Sequence, residues 1–119
     1  AALAQNLENM AYHPYTIAVF GAMADKDIDG VLKPMMDKID FWYLCDLPTP
    51  RAASAESLAA RLRSLGFKEG ADSGIEVFSS PALAYESALK KAGEGDRISV
   101  FGSFYTVAGV LAYRNAKAH

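Results

Sequence analysis

Apolar and polar residues alternate along this chain with two different periods. Leu3, Leu7 and Met10 recur at helical spacing and predict a helix over 2–11, closed by Tyr12, His13 and Pro14. Residues 15–21 (YTIAVFG) join β-branched and aromatic side chains and end on glycine, which reads as a strand. Ile28, Val31, Leu32, Met35, Met36 and Ile39 then line one helical face behind the acidic start at Asp25, Lys26 and Asp27. Pro34 falls inside that pattern, where its ring opposes the carbonyl of Gly30 at a cost of ~3 kcal/mol. The apolar face continues past it, so one bent helix reaching Ile39 is expected.

Residues 40–45 (DFWYLC) read as a second strand, apolar on both faces as in a buried parallel sheet. A loop over 47–51 carries Pro48 and Pro50. The next helix opens at 54–57, bears Leu58, Leu62 and Leu65, and stops at Gly66. A polar loop over 68–74 precedes a short strand at 75–78, and Pro81 sits in the first turn of an alanine-rich helix over 81–92. Residues 93–96 form a turn, 97–101 (RISVF) a strand, and Gly102 and Ser103 lead into a last helix carrying Val107, Val110 and Leu111. Strict alternation of helix and strand implies an α/β fold, a three-layer αβα arrangement on a mostly parallel sheet with right-handed crossovers.

A length of 119 residues suits one domain over 1–119, with a core but no room for two. The 51% hydrophobic content with charges of mixed sign argues against disorder. A net charge of −2 gives no broad reason to bind nucleic acid or an anionic membrane. The longest apolar run, residues 41–45, falls far short of the ~20 residues that span a bilayer. Cys45 is the only cysteine, so it has no disulfide partner within the chain and no cysteine cluster for a metal. His13 and His119 stand too far apart in sequence to suggest zinc. A soluble, cytoplasmic domain is the expectation. Residue 1 falls inside a helical pattern with neither an initiator methionine nor a cap, so a piece of a longer chain is expected.

In parallel α/β sheets, ligands gather outside the carboxyl ends of the strands. Three loops reach that edge: 21–27, 46–54 and 102–106. In the first, Asp25 and Asp27 flank Lys26 at a helix start. The acids serve the helix dipole by ~0.3–1 kcal/mol each, but a cation there is disfavoured unless an anion lies near. In the second, Pro48 and Pro50 stiffen a loop that presents Arg51, whose planar fork suits a carboxylate; a surface pair with Glu56 or another acid is the plainer use. In the third, Ser103 is either an ordinary helix cap or, with the free amides behind it, an anion contact. No phosphate loop of the Gly-x-x-x-x-Gly-Lys-Ser/Thr type and no dinucleotide fingerprint is present. Cys45, Trp42 and Tyr43 read as core, and a nucleophilic triad has too little material.

Three segments, AVFGAMADKDIDGVL, DLPTPRAASAESL and ISVFGSFYTVAGVL, carry a resemblance in this order and spacing. Together they resemble the C-terminal domain of folylpolyglutamate synthase/dihydrofolate synthase, within the Mur ligase family, over essentially the whole chain. The resemblance implies a Rossmann-like domain of an ATP-dependent ligase that adds L-glutamate to dihydropteroate or to a folate through an acyl phosphate. It implies that Arg51 and Ser103 hold glutamate, and that Asp25, Lys26 and Asp27 face the nucleotide and the domain cleft. ATP and Mg²⁺ would be bound mainly by a central ATPase domain of the same longer protein, leaving no catalytic residue and no activity in this piece alone. The family's Asp-x-Ala-His-Asn-Pro segment and its strand are expected upstream of residue 1, so a sheet that lacks a member or pairs differently is expected. Tyr105 stands where some relatives have histidine.

The rival class is a stand-alone α/β ligand-binding or receiver-like signalling module, with Asp46 as phosphoacceptor. Gly21, Ala22, Gly102 and Ser103 occupy the positions where such a module needs its acidic pair and its lysine.

Overall fold

The computed structural model describes residues 14–117. Eight elements alternate: β1 (Thr16–Phe20), α1 (Ile28–Met35), β2 (Phe41–Cys45), α2 (Ala55–Ser64), β3 (Gly74–Phe78), α3 (Pro81–Lys91), β4 (Arg97–Phe101) and α4 (Phe104–Lys117). The helix expected over 2–11, with His13, and the terminal His119 lie outside the described residues.

The strands form one sheet in the order β3-β2-β1-β4, and every neighbouring pair is parallel. Residue identities explain why β1 and β2 are central: all five residues of β2 are buried, and Ile17 to Phe20 are wholly enclosed. Successive side chains point to opposite faces. Ala18, Phe20, Trp42 and Leu44 therefore pack with Ile28, Leu32, Leu58 and Leu62 of α1 and α2. Ile17, Val19, Phe41, Tyr43 and Cys45 pack with Ala84, Ala88 and Val110 of α3 and α4 on the other face. Trp42 anchors the first face, its ring edge-on to Phe20 at 5.9 Å and to Phe67 at 6.5 Å. Each such aromatic contact adds about 0.5–1.5 kcal/mol beyond area burial.

The chain runs outward from β1 through β2 to β3, then returns across the sheet to place β4 on the other side of β1. A right-handed crossover that reverses direction must use the opposite face, which is where α3 lies. β1 and β4 are thus neighbours whose chains leave in opposite directions, the switch point of an open α/β sheet.

One element is shorter than its hydrophobic pattern implies. α1 ends at Met35, one residue beyond Pro34, and a tighter turn follows with the Lys38 and Ile39 amides both donating to the Met35 carbonyl at 2.9 and 3.1 Å. Proline has no N–H to give the Gly30 carbonyl, so the helix loses a rung and terminates instead of bending onward. Ile39 still reaches the core, 3% exposed.

Candidate functional site

Parallel strands put the loops after β1, β2 and β4 on one edge. The first two are stitched together. The Ala24 amide donates to the Arg51 carbonyl at 2.8 Å, the Ala53 amide donates to the Ala22 carbonyl at 2.9 Å, and Met23 and Ala52 form an antiparallel bridge between those bonds. This short ladder fixes the backbone on either side of Arg51. Inside the loop the Thr49 amide donates to the Leu47 carbonyl at 2.8 Å and the Ala52 amide to the Thr49 carbonyl at 3.2 Å. The flanking prolines restrict the same turn.

Across the ladder the Arg51 Nη2 donates to Asp25 Oδ2 at 3.2 Å, with the two side chains 72% and 68% exposed. The acid that Arg51 meets is therefore Asp25, a candidate from the neighbouring loop, and not Glu56. A pair this exposed contributes about 0–1 kcal/mol, so breaking it costs little. Lys26 is exposed, and its side chain has no partner among the described residues. Asp27 caps α1, its Oδ1 accepting from the Gly30 amide at 3.2 Å. The three consecutive residues thus divide: Asp27 holds the helix start, Asp25 is paired with Arg51, and Lys26 projects into solvent.

On the other side of β1, Gly102 takes φ +116°, and a Cβ there would strike the Gly21 carbonyl oxygen and sit 2.9 Å from the Phe20 ring. Glycine is required by both the backbone angle and the space. Ser103 caps α4, its Oγ accepting from the Thr106 amide at 3.2 Å and lying 3.0 Å from Thr106 Oγ1. Thr106 is completely buried and donates its hydroxyl to the Gly21 carbonyl at 2.8 Å. The sequence marks the loop but not this threonine, which lies three residues past the capping Ser103 where a cap's side chain meets a backbone amide.

Arg51 and Ser103 do not touch. They are held by adjacent carbonyls of the strand exit, Gly21 receiving Thr106 and Ala22 receiving Ala53. All five candidates, Asp25, Lys26, Asp27, Arg51 and Ser103, lie on the same edge of the sheet.

Beneath the rim, the Cys45 thiol donates to the Phe20 carbonyl at 3.6 Å. Burial first, and the Asp46 charge second, push its pKa up to about 12, so it is a packing group and not a nucleophile. Asp46 Oδ1 accepts from the Ala55 amide at 2.7 Å, which commits it to the start of α2. It also lines an open cavity of about 200 Å³ with Glu56, Val77, Phe78 and Ser79. Among the described residues no three His, Cys, Asp or Glu side chains gather as metal ligands, and no helix is long and apolar enough to cross a membrane.

These features define a class: a Rossmann-like αβα domain with a polar rim at the switch point of its sheet. A family model described as Mur ligase, glutamate ligase domain, matches residues 1–104, and the chain belongs to that family. It is 38% identical over 101 residues to the dihydrofolate synthase/folylpolyglutamate synthase of Escherichia coli K12 and 30% identical over 115 residues to that of Buchnera aphidicola from Schizaphis graminum. Those alignments take in 85% and 97% of this chain but 22% and 26% of the relatives, so the chain spans about a quarter of their length. Among solved structures, the Escherichia coli enzyme in complex with DHPP and ADP superposes with a TM-score of 0.76 at 34% identity, over 99% of this chain and 26% of that one. A bifunctional folylpolyglutamate synthase/dihydrofolate synthase with Mn, AMPPNP and L-glutamate bound gives 0.71 at 32% identity, over 96% of this chain and 25% of that one.

Proposed function

We propose that this chain is the C-terminal, glutamate-delivering domain of a longer ATP-dependent ligase that adds L-glutamate to dihydropteroate or folate. Family membership supports the class of chemistry. The observation that carries the site is Arg51: a guanidinium on a doubly braced loop, held among the described residues only by an exposed Asp25 that a substrate carboxylate can replace.

In this reading the guanidinium takes a carboxylate of glutamate, and the α4 rim, Ser103 included, orients the same molecule. Lys26, exposed and without a partner among the described residues, faces the nucleotide and the cleft between domains, with Asp25 and Asp27 beside it. ATP and Mg²⁺ are bound mainly outside this chain, by a central ATPase domain, and supply activation of the acceptor carboxylate as an acyl phosphate. This domain contributes a lid. Closing the rim over that intermediate brings the amine within reach and excludes water that would hydrolyse it. The setting is cytoplasmic, where ATP, glutamate and folates occur together.

The test is ATP-dependent incorporation of labelled glutamate by the complete ligase carrying Arg51→Ala. A charge-assisted hydrogen bond is worth about 1.5–3 kcal/mol, so kcat/KM for glutamate should fall by roughly 10- to 150-fold with the KM for ATP unchanged. An unchanged glutamate kcat/KM would overturn the assignment. The 119-residue chain alone should incorporate no glutamate.

A further inference from the structure

Two carboxylates at the strand exits are spent on backbone amides: Asp27 accepts from the Gly30 amide at 3.2 Å and Asp46 from the Ala55 amide at 2.7 Å. Asp25 differs, because what holds its Oδ2 is a side chain, the Arg51 guanidinium, at 3.2 Å. The backbones beside this pair are pinned. The Ala24 amide, one residue before Asp25, donates to the carbonyl of Arg51 itself at 2.8 Å, and the Ala53 amide donates to the Ala22 carbonyl at 2.9 Å. Breaking the ion pair therefore frees two side chains without parting their loops. When a substrate carboxylate takes Arg51, Asp25 stays beside it, and an unpaired carboxylate there repels the newcomer. The exchange balances when the newcomer brings a positive charge of its own.

We propose that Asp25 determines specificity by receiving the α-ammonium group of the incoming glutamate while Arg51 receives a carboxylate. The inference rests on the glutamate reading above and adds the substrate class: a zwitterionic amino acid in preference to a plain dicarboxylate. An α-amino acid carries ammonium and carboxylate on one carbon, a close spacing of opposite charges like the one Asp25 and Arg51 present at 3.2 Å. Laid against the pair with its charges reversed, it exchanges one exposed ion pair for two charge-assisted contacts. A dicarboxylate without the amine gains Arg51 but meets Asp25 as a like charge. Lys26, next in the chain, is the rival partner for a displaced Asp25, yet its side chain is unpaired among the described residues while Asp25 reaches across the ladder to Arg51. Asp25 acts on the arriving zwitterion, before the nitrogen gives up its proton for attack.

Paired ligands test this in the complete ligase: L-glutamate as substrate, and glutarate, the same dicarboxylate without the amine, as competitive inhibitor. The variant is Asp25→Asn, which removes the charge and keeps the shape of a side chain that is 68% exposed, so the fold is retained. Glutamate kcat/KM should fall about tenfold, the effect of one lost charge-assisted hydrogen bond. The glutarate Ki should fall by up to about fivefold, because the internal carboxylate that competes for Arg51 is gone. Opposite movement of the two ligands is the signature, since a merely structural role for Asp25 shifts both the same way. Equal weakening of both would overturn the inference by reducing Asp25 to a support for Arg51. Equal strengthening would overturn it by making Asp25 a mask whose displaced charge goes to Lys26, and an unchanged glutamate kcat/KM would remove Asp25 from the site. Arg51→Ala separates the two levels. If it weakens both ligands while Asp25→Asn fails to discriminate, only this inference falls; if Arg51→Ala weakens neither, the glutamate reading falls and this inference with it.

Discussion

Replacing Gly102 by alanine perturbs the contact that joins β4 to β1 at the rim. Two costs arise together. Alanine at φ +116° carries backbone strain of about 1–3 kcal/mol. Its methyl group also runs into the Gly21 carbonyl and the Phe20 ring, the latter at 2.9 Å, and neither is the loose end of a flexible side chain. Overpacking of that kind adds about 1–3 kcal/mol. Gly66 supplies the control, because it takes φ +103° and a methyl group there would meet nothing within 4 Å, so Gly66→Ala carries the backbone strain alone. Urea denaturation of both variants should therefore show Gly102→Ala to be less stable than Gly66→Ala by about 1–3 kcal/mol, roughly 4–12 °C in Tm for a domain of this size. Glutamate KM in the complete ligase should rise for Gly102→Ala only, since Ser103 moves with its neighbour. Equal destabilisation of the two variants, within about 0.5 kcal/mol, would refute the close packing of Gly102 on Gly21.

Cys45 should resist an aromatic disulfide reagent at pH 8 in the native state and react at once in urea, because burial holds its thiol pKa near 12; rapid native labelling would contradict that. Asp96 accepts from the Gly93 and Tyr15 amides, both at 2.8 Å, and these bonds hold its carboxyl below the usual value. A folded-state pKa below the unfolded one stabilises fully above the ordinary value of about 3.9 and is lost as pH falls through the folded value. The stability gap between wild type and Asp96→Asn should therefore be constant from pH 7 to 5 and shrink below about pH 4 in urea titrations; a gap unchanged at pH 3 would refute the linkage. Asp46→Ala should cost about 1 kcal/mol by leaving the Ala55 amide at the start of α2 without its acceptor, and a small phosphodonor should leave no phosphate on the wild-type residue. Uptake at Asp46 would revive the signalling alternative.

Strand composition makes the sheet legible in the sequence. Four blocks rich in β-branched and aromatic residues are four parallel strands, with the bounds of β4 as read and the others shifted by one residue or so. The length of α1 is not legible, because an apolar repeat running past Pro34 reports which side chains are buried and not which amides are bonded. Met36 and Ile39 keep the helical spacing while the backbone has already turned. For the site, residue type and position at strand ends bring Asp25, Lys26, Asp27, Arg51 and Ser103 to one edge. Two relations lie beyond the sequence. The pairing of Arg51 with Asp25 depends on a ladder between loops some 26 positions apart, which no local pattern encodes. Thr106 looks like an ordinary helix residue, since its importance comes from a carbonyl 85 positions away.

A crystal structure of the complete ligase with a non-hydrolysable ATP analogue and L-glutamate would decide the question of the rim. A substrate carboxylate should sit on the Arg51 guanidinium with Asp25 displaced, and the same glutamate should lie against the start of α4 at Ser103. Glutamate bound elsewhere, with Arg51 still on Asp25, would contradict it.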